Sequence, residues 1–203
     1  MSRLLLVRHG ITEFNADRKF SGRSDVDLSA EGYRQVEKLR DRLVKEEINA
    51  VYCSDLKRAL ATAEVISSGC DVKITSCSEL REMNYGEAEG LTLEEIRRRY
   101  PGLAEAVIDP SLELNFPGGE NFKEFIARTI KFLDRLNKHT VEQTILIVSH
   151  SGPLRVLICN LLGIGESKWR QFRCDNASLS IVETYPQRAI LSLLNDTSHL
   201  KKY

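Results

Sequence analysis

The chain has no apolar run long enough to cross a bilayer, and its hydrophobic N-terminal stretch is too short for a signal peptide. It has no excess of either charge. Lys and Arg number 29 against 29 Asp and Glu, so the broad basic field that recruits nucleic acid or an anionic membrane is missing. Any recognition of an anion must therefore be local. Cysteines are few and scattered: Cys53, Cys70, Cys77, Cys159 and Cys174 are odd in number and form no C-x-x-C pair. That argues against a disulfide framework or a zinc site and suits reduced thiols in the cytoplasm. None of them adjoins a glycine loop that could cradle phosphate, which leaves a cysteine nucleophile poorly supported. Repeats and low-complexity tracts are also lacking, and 203 residues suit one domain with a single insertion.

What is present is an alternation of strand and helix signals. Leu4–Val7 reads as a buried strand, and a polar loop runs from it to Ser29, the expected N-cap of a helix over Ala30–Glu46. Ala50–Cys53 reads as a second strand, Asp55–Ser67 as a helix capped by Ser54, and Val72–Thr75 as a third strand. Residues 84–121 lose the pattern, with short helical pieces at Leu93–Tyr100 and Leu103–Ile108; they read as an insertion over the active edge. Phe122, Ile126, Ile130 and Leu133 then mark an amphipathic helix. The run Ile145–Val148 is a strand, followed by a helix with Pro153 in its first turn and Gly163 past its end. Ser178–Glu183 and Ala189–Leu194 form a terminal hairpin. The order predicts an α/β fold: a three-layer α/β/α sandwich around a mostly parallel sheet.

In such sheets ligands gather at the carboxyl ends of the strands. His9 follows the first strand and His150 the strand at Ile145–Val148, while Arg58 falls in the first turn of a helix. A helix N-terminus with an arginine beside it is a ready anion site, and Arg8 adds a second planar fork. His150, if protonated, makes a third cation. Three cations around a tetrahedral dianion can do the work of Mg²⁺ in phosphoryl transfer, which accounts for the missing metal motif. Asp25-Val26-Asp27 leads into a helix cap and reads as structural. His139 and His199 lie in a helix end and a polar tail, and neither is a site candidate. Arg97-Arg98-Arg99 reads as a solvated helical face, or as a selector for a second anionic group if that helix covers the pocket.

Arg8-His9-Gly10, Ser54-Asp55-Leu56-Lys57-Arg58-Ala59 with Thr62-Ala63, the Glu82…Gly86…Glu89-Gly90 run and Ser149-His150-Ser151-Gly152 resemble, in order, the motifs of the histidine phosphatase superfamily, the phosphoglycerate-mutase-like fold. The resemblance implies that His9 is a nucleophile forming a phosphohistidine that water hydrolyses, with no cofactor and no metal. It implies that Arg8, Asn15, Arg58 and His150 hold the phosphoryl oxygens. Glu82 would protonate the leaving alkoxide and then activate water, for which it must be protonated at the right moment.

The chain is shorter than mutases of this fold and has Gly22-Arg23 where they show Gly-Trp, which favours a phosphatase. Leu80–Gly86, Glu89–Thr92, Phe116–Glu120 and Trp169…Phe172-Arg173 look most like the alpha-ribazole phosphatase branch, which acts on a 5′-phosphate in assembly of the cobalamin nucleotide loop. Ser151 stands where many relatives have Gly, so Arg23, Ser151 and Gly152 are candidates for substrate contact. The alternatives are a broad-spectrum small-molecule phosphatase, a phosphoglycerate mutase, and a non-catalytic phospho-ligand binding module. The expected partner is a small phosphorylated substrate, with neither nucleic acid nor membrane.

Overall fold

A computed structural model of the protein describes residues 2–109, 111–139 and 142–201, so Pro110 of the predicted insertion lies outside the described residues. The first half holds β1 (Ser2–Arg8), α1 (Glu13–Ala16), α2 (Ala30–Leu43), β2 (Ile48–Cys53), α3 (Lys57–Ile66) and β3 (Ile74–Ser76). The second holds α4 (Leu93–Arg99), α5 (Pro101–Ile108), α6 (Phe122–Lys131), β4 (Thr144–Ser149), α7 (Ser151–Leu162), β5 (Leu179–Tyr185) and β6 (Arg188–Asp196).

The strands form one six-stranded sheet in the order β3-β2-β4-β1-β5-β6. The pairs β3/β2, β2/β4 and β4/β1 are parallel, while β5 and β6 are added antiparallel as the terminal hairpin. Side chains alternate across the pleat. Leu5 and Val7 of β1 share one core with Val36, Leu39, Ala59 and Ala63 of α2 and α3. Leu4 and Leu6 share the opposite core with Leu154, Leu157 and Ile158 of α7. Both faces of the parallel strands are thus covered, which is why they read as unbroken apolar runs. The three-layer sandwich is the architecture the element order predicts.

A third core belongs to the segment between β3 and β4. Ile96 of α4, Leu103 and Ala106 of α5, Phe116 of the loop before α6 and Phe125 of α6 pack together and meet Val156 of α7. Several boundaries depart from the sequence reading. The third strand is Ile74–Ser76 rather than Val72–Thr75, and α2 ends at Leu43 rather than Glu46. The amphipathic helix is regular only to Lys131 and continues as tighter 3-10 turns over Phe132–Lys138. α3 starts at Lys57, not Asp55, and its N-cap is Leu56, not Ser54. Ser54 Oγ instead accepts from the Leu56 N–H at 3.3 Å and meets His150.

Candidate active site

Residues Arg8, Ser149 and Cys53 end neighbouring parallel strands, in register with one another to within a residue. The next residues in the chain, His9, His150 and Ser54, therefore arrive at one edge of the sheet. The His9 backbone N–H donates to the Ser149 carbonyl at 3.0 Å, and the two imidazole centroids lie 5.0 Å apart. His9 is 3 % exposed, and His150 and Arg58 are 0 % exposed.

The His9 Nδ1 lies 2.7 Å from the Gly10 carbonyl oxygen. A carbonyl only accepts, so Nδ1 carries the proton and Nε2 keeps its lone pair. Burial, then the Arg58 and Arg8 charges, hold the imidazole well below its ordinary pKa, against the pull of the Gly10 bond. His9 is therefore a neutral ring with one exposed lone pair.

Arg58 uses Nη1 and Nη2 to donate to the carbonyls of Ser24 and Gly22, each at 2.7 Å, and Nε to donate to His150 Nδ1 at 3.2 Å. Burial pushes its pKa down to about 10, with Glu82 pulling upward, so the guanidinium stays charged at neutral pH. Because a guanidinium cannot accept, His150 Nδ1 must be unprotonated, and Nε2–H donates to Ser54 Oγ at 2.9 Å. Burial, then Arg58, His9, Arg8 and Arg128, lower the His150 pKa well below the ordinary value. This corrects the sequence expectation of a third cation: here His150 is a neutral ring between an arginine and a serine. Arg8 Nη1 donates to the Cys174 carbonyl at 2.7 Å, and its buried Nε has no acceptor.

Glu82 is buried, its Oε2 accepting from the Gly152 N–H at 3.2 Å and its Oε1 from the Met83 N–H at 3.0 Å. Gly152 lies in the first turn of α7, so the carboxylate sits at a helix N-terminus. A Cβ at Gly152 would collide with Glu82 Oε1. Gly152 thus meets the carboxylate rather than the pocket. The Asn15 amide oxygen accepts from the Thr12 N–H, the Thr12 hydroxyl and Asn176 Nδ2, leaving the Asn15 NH₂ without a partner among the described residues.

A cavity of about 380 Å³ is lined by Arg8, His9, Asn15, Glu82, Ser151 and also Ser21, Tyr85 and Asn176. Arg18, Lys19 and Phe20 line it too. Burial, then Glu82, raises the Tyr85 phenol well above its ordinary pKa, so it stays protonated. Arg97 and Arg98 of α4 line a neighbouring cavity that shares Arg18 with this one. The cavity of about 400 Å³ bordered by Ser2, Leu4 and Pro186 holds none of the chemistry.

Arg23, a candidate for substrate contact, is not in the pocket wall. Its Nη2 donates to Glu120 Oε1 at 2.8 Å. The sequence reading missed Tyr85, Asn176 and the Ser54–His150 bond. Asn176 sits in an irregular loop without periodicity, and no local signal marks it. Four cysteines are buried, with Cys53 pushed up to about 12 and Cys77 and Cys159 to about 11, chiefly by burial. None of these three is a nucleophile near neutral pH.

The model of the histidine phosphatase superfamily, branch 1, matches residues 4–197. The chain belongs to the histidine phosphatase superfamily. Phosphoserine phosphatase 1 of Hydrogenobacter thermophilus is 33 % identical over 203 residues, covering 100 % of this chain and 96 % of that protein. The crystal structure of the alpha-ribazole phosphatase from Shigella flexneri superposes with a TM-score of 0.89 at 32 % identity, over 96 % of each chain. YhfR of Bacillus stearothermophilus superposes at 0.91 with 28 % identity, over 99 % of this chain and 100 % of that one. Among the described residues no helix is long and apolar enough to cross a membrane.

Proposed function

We propose that this histidine phosphatase hydrolyses small phosphomonoesters through a phosphohistidine at His9. The observation that carries the reading is the His9 tautomer: Nδ1–H is fixed on the Gly10 carbonyl, and Nε2 offers its lone pair beside the Arg8 and Arg58 charges. The Nε2 pair attacks phosphorus while the P–O ester bond breaks, and Glu82 gives its proton to the leaving alkoxide. In the second step the Glu82 carboxylate takes a proton from water, whose oxygen attacks phosphorus as the P–N bond breaks. Phosphate leaves and His9 is restored. Arg8, Arg58 and the Asn15 NH₂ hold the phosphoryl oxygens. His150, a neutral ring accepting from Arg58 Nε at Nδ1 and donating to Ser54 through Nε2–H, orients the Arg58 guanidinium.

The first substrate reading is alpha-ribazole 5′-phosphate. The structural similarity to an alpha-ribazole phosphatase supports it, as do Phe20 and Tyr85 in the pocket wall, which offer a flat heterocycle an apolar surface. The second is phosphoserine, favoured by the full-length relative and by Arg18 and Lys19 at the pocket, where a carboxylate would find cations.

Phosphate release in EDTA is the test, across alpha-ribazole 5′-phosphate, phosphoserine, 3-phosphoglycerate, nucleotides and p-nitrophenyl phosphate. A kcat/KM for alpha-ribazole phosphate roughly a hundredfold above the rest, about 2.7 kcal/mol of transition-state preference, supports the first substrate. The same margin for phosphoserine supports the second, and a flat profile indicates a generalist. His9→Ala, folded by circular dichroism, is expected to lose all turnover. Substantial residual activity would remove the phosphohistidine, and silence of the natural chain across the panel would favour a binding module.

A further inference from the structure

Glu82 does not rest on its own strand or helix; it lies after a single 3-10 turn, Ser78–Leu80. Its carboxylate accepts from the Gly152 and Met83 N–H groups, and another element must hold its backbone. Arg128 of α6 does so with every N–H it has. Nη1 donates to the Glu79 carbonyl at 3.0 Å and the Arg81 carbonyl at 2.8 Å, and Nη2 to the Glu82 carbonyl at 2.9 Å. The remaining two donors, Nε and Nη2, meet Glu120 Oε1 at 2.7 Å and Oε2 at 2.8 Å.

Glu120 is equally saturated. Besides Arg128 it accepts from the Asn84 N–H at 2.8 Å and from Arg23 Nη2 at 2.8 Å, so each oxygen has two donors. Burial pushes its carboxyl up, but Arg128 and the Asn84 N–H outweigh this and hold it below the usual range. Arg23 continues the chain of contacts. Its backbone N–H donates to Glu89 Oε1 at 2.7 Å, and the Ser24 hydroxyl donates to Glu89 Oε2 at 2.5 Å. The carbonyls of Gly22 and Ser24, on either side of Arg23, are the two that hold Arg58. One hydrogen-bonded path therefore runs from the backbone of Glu82 through Arg128, Glu120 and Arg23 to the 22–24 loop, whose carbonyls accept from Arg58.

We propose that Glu120, Arg128 and Arg23 are positioning residues that set the general acid Glu82 against the Arg58 side of the phosphoryl site. None of the three lines the pocket, so they act through Glu82 and the 22–24 loop rather than on substrate. Bidentate arginine–carboxylate pairing gives this linkage its angular stiffness. The inference rests on the reading of Glu82 as the acid.

The test compares an alkyl phosphate, glycerol 3-phosphate, with p-nitrophenyl phosphate, whose leaving group needs no proton. Glu82→Gln is measured first; equal losses of kcat/KM on both substrates would remove the acid role itself and overturn the positioning role with it. With that role standing, Glu120→Gln is expected to lower kcat/KM, which reports the step that releases the leaving group, about thirtyfold for the alkyl phosphate and less than threefold for the aryl phosphate. In a Glu82→Gln background the same change should cost the alkyl phosphate almost nothing more, because the group it positions is gone. Equal losses on both substrates, or additive losses in the double variant, would overturn positioning in favour of general structural support. Should Glu120→Gln not fold, Arg23→Met removes a single bond from the half-exposed end. It is expected to show the same alkyl-selective pattern at a few-fold. A raised KM at constant kcat would instead place Arg23 on the substrate and overturn the proposal.

Discussion

His9 is poised by two opposing influences on one ring. Burial and two arginines expel its proton, and the Gly10 carbonyl decides which nitrogen keeps the one that remains. Since the neutral form is the nucleophile, protonation of His9 removes activity as pH falls through its folded-state pKa, which lies well below 6.5. After correction for the substrate's own phosphate ionisation, the acid limb of kcat/KM for His9 is expected well below pH 6.5. A limb at the ordinary imidazole value would show that the arginines do not act on the ring as they stand here. His9, Arg8 and Arg58 could be picked out in the sequence because each follows a strand or opens a helix. The state of His150 could not. Its two ring partners, Arg58 and Ser54, are 92 and 96 residues away, and burial together with the nearby arginines keeps it neutral.

At the scale of elements, the loop after β1 is pressed onto α2. The Ser29 hydroxyl caps that helix through the Gly32 N–H and also donates to the Ile11 carbonyl. A Cβ at Gly32 would overlap the Ile11 carbonyl, and one at Gly10 would come within 2.7 Å of the Gly32 carbonyl. These glycines permit close approach of backbone to backbone. Gly32→Ala is therefore expected to destabilise the protein by about 1–3 kcal/mol, the cost of overpacking a tight contact. It should also lower kcat, because the displaced loop carries the carbonyl that orients His9. Urea denaturation and steady-state kinetics check both, and an unchanged midpoint would show that the loop yields freely. The element order and the helix spacing were legible beforehand, since alternating and 3.6-residue patterns are local. The Ser54 cap was misread because a serine before a helix carries the same local signal whether it caps or faces a histidine.

For the molecule as a whole, His9 and His150 make stability depend on pH. Both are held neutral when folded, with pKa values well below the unfolded value near 6.5, and for both burial is the largest cause. Below pH 6.5 the unfolded chain binds protons that the folded one refuses. The stabilisation is therefore whole above 6.5 and is lost as pH falls toward the folded values, by up to about 1.4 kcal/mol per pH unit for each ring. Urea midpoints at pH 7.5 and 5.5 should fall accordingly, and His150→Asn should flatten the slope by as much as one proton. A slope unaltered in that variant would mean that His150 takes up its proton without unfolding.

The sequence alone determined the layers, the parallel strands and the edge where two histidines and two arginines would meet. Those features are written in local periodicity and in what ends each strand. Only the tertiary structure decided what joins that edge together. Arg23 reads in the sequence as a residue for substrate, yet Glu120 claims its guanidinium from 97 positions away. Arg128 looks like one more charge on an amphipathic helix until its donors reach the carbonyls of Glu79, Arg81 and Glu82. Such partnerships are set by the folding of distant segments against one another, and no short window of residues contains them.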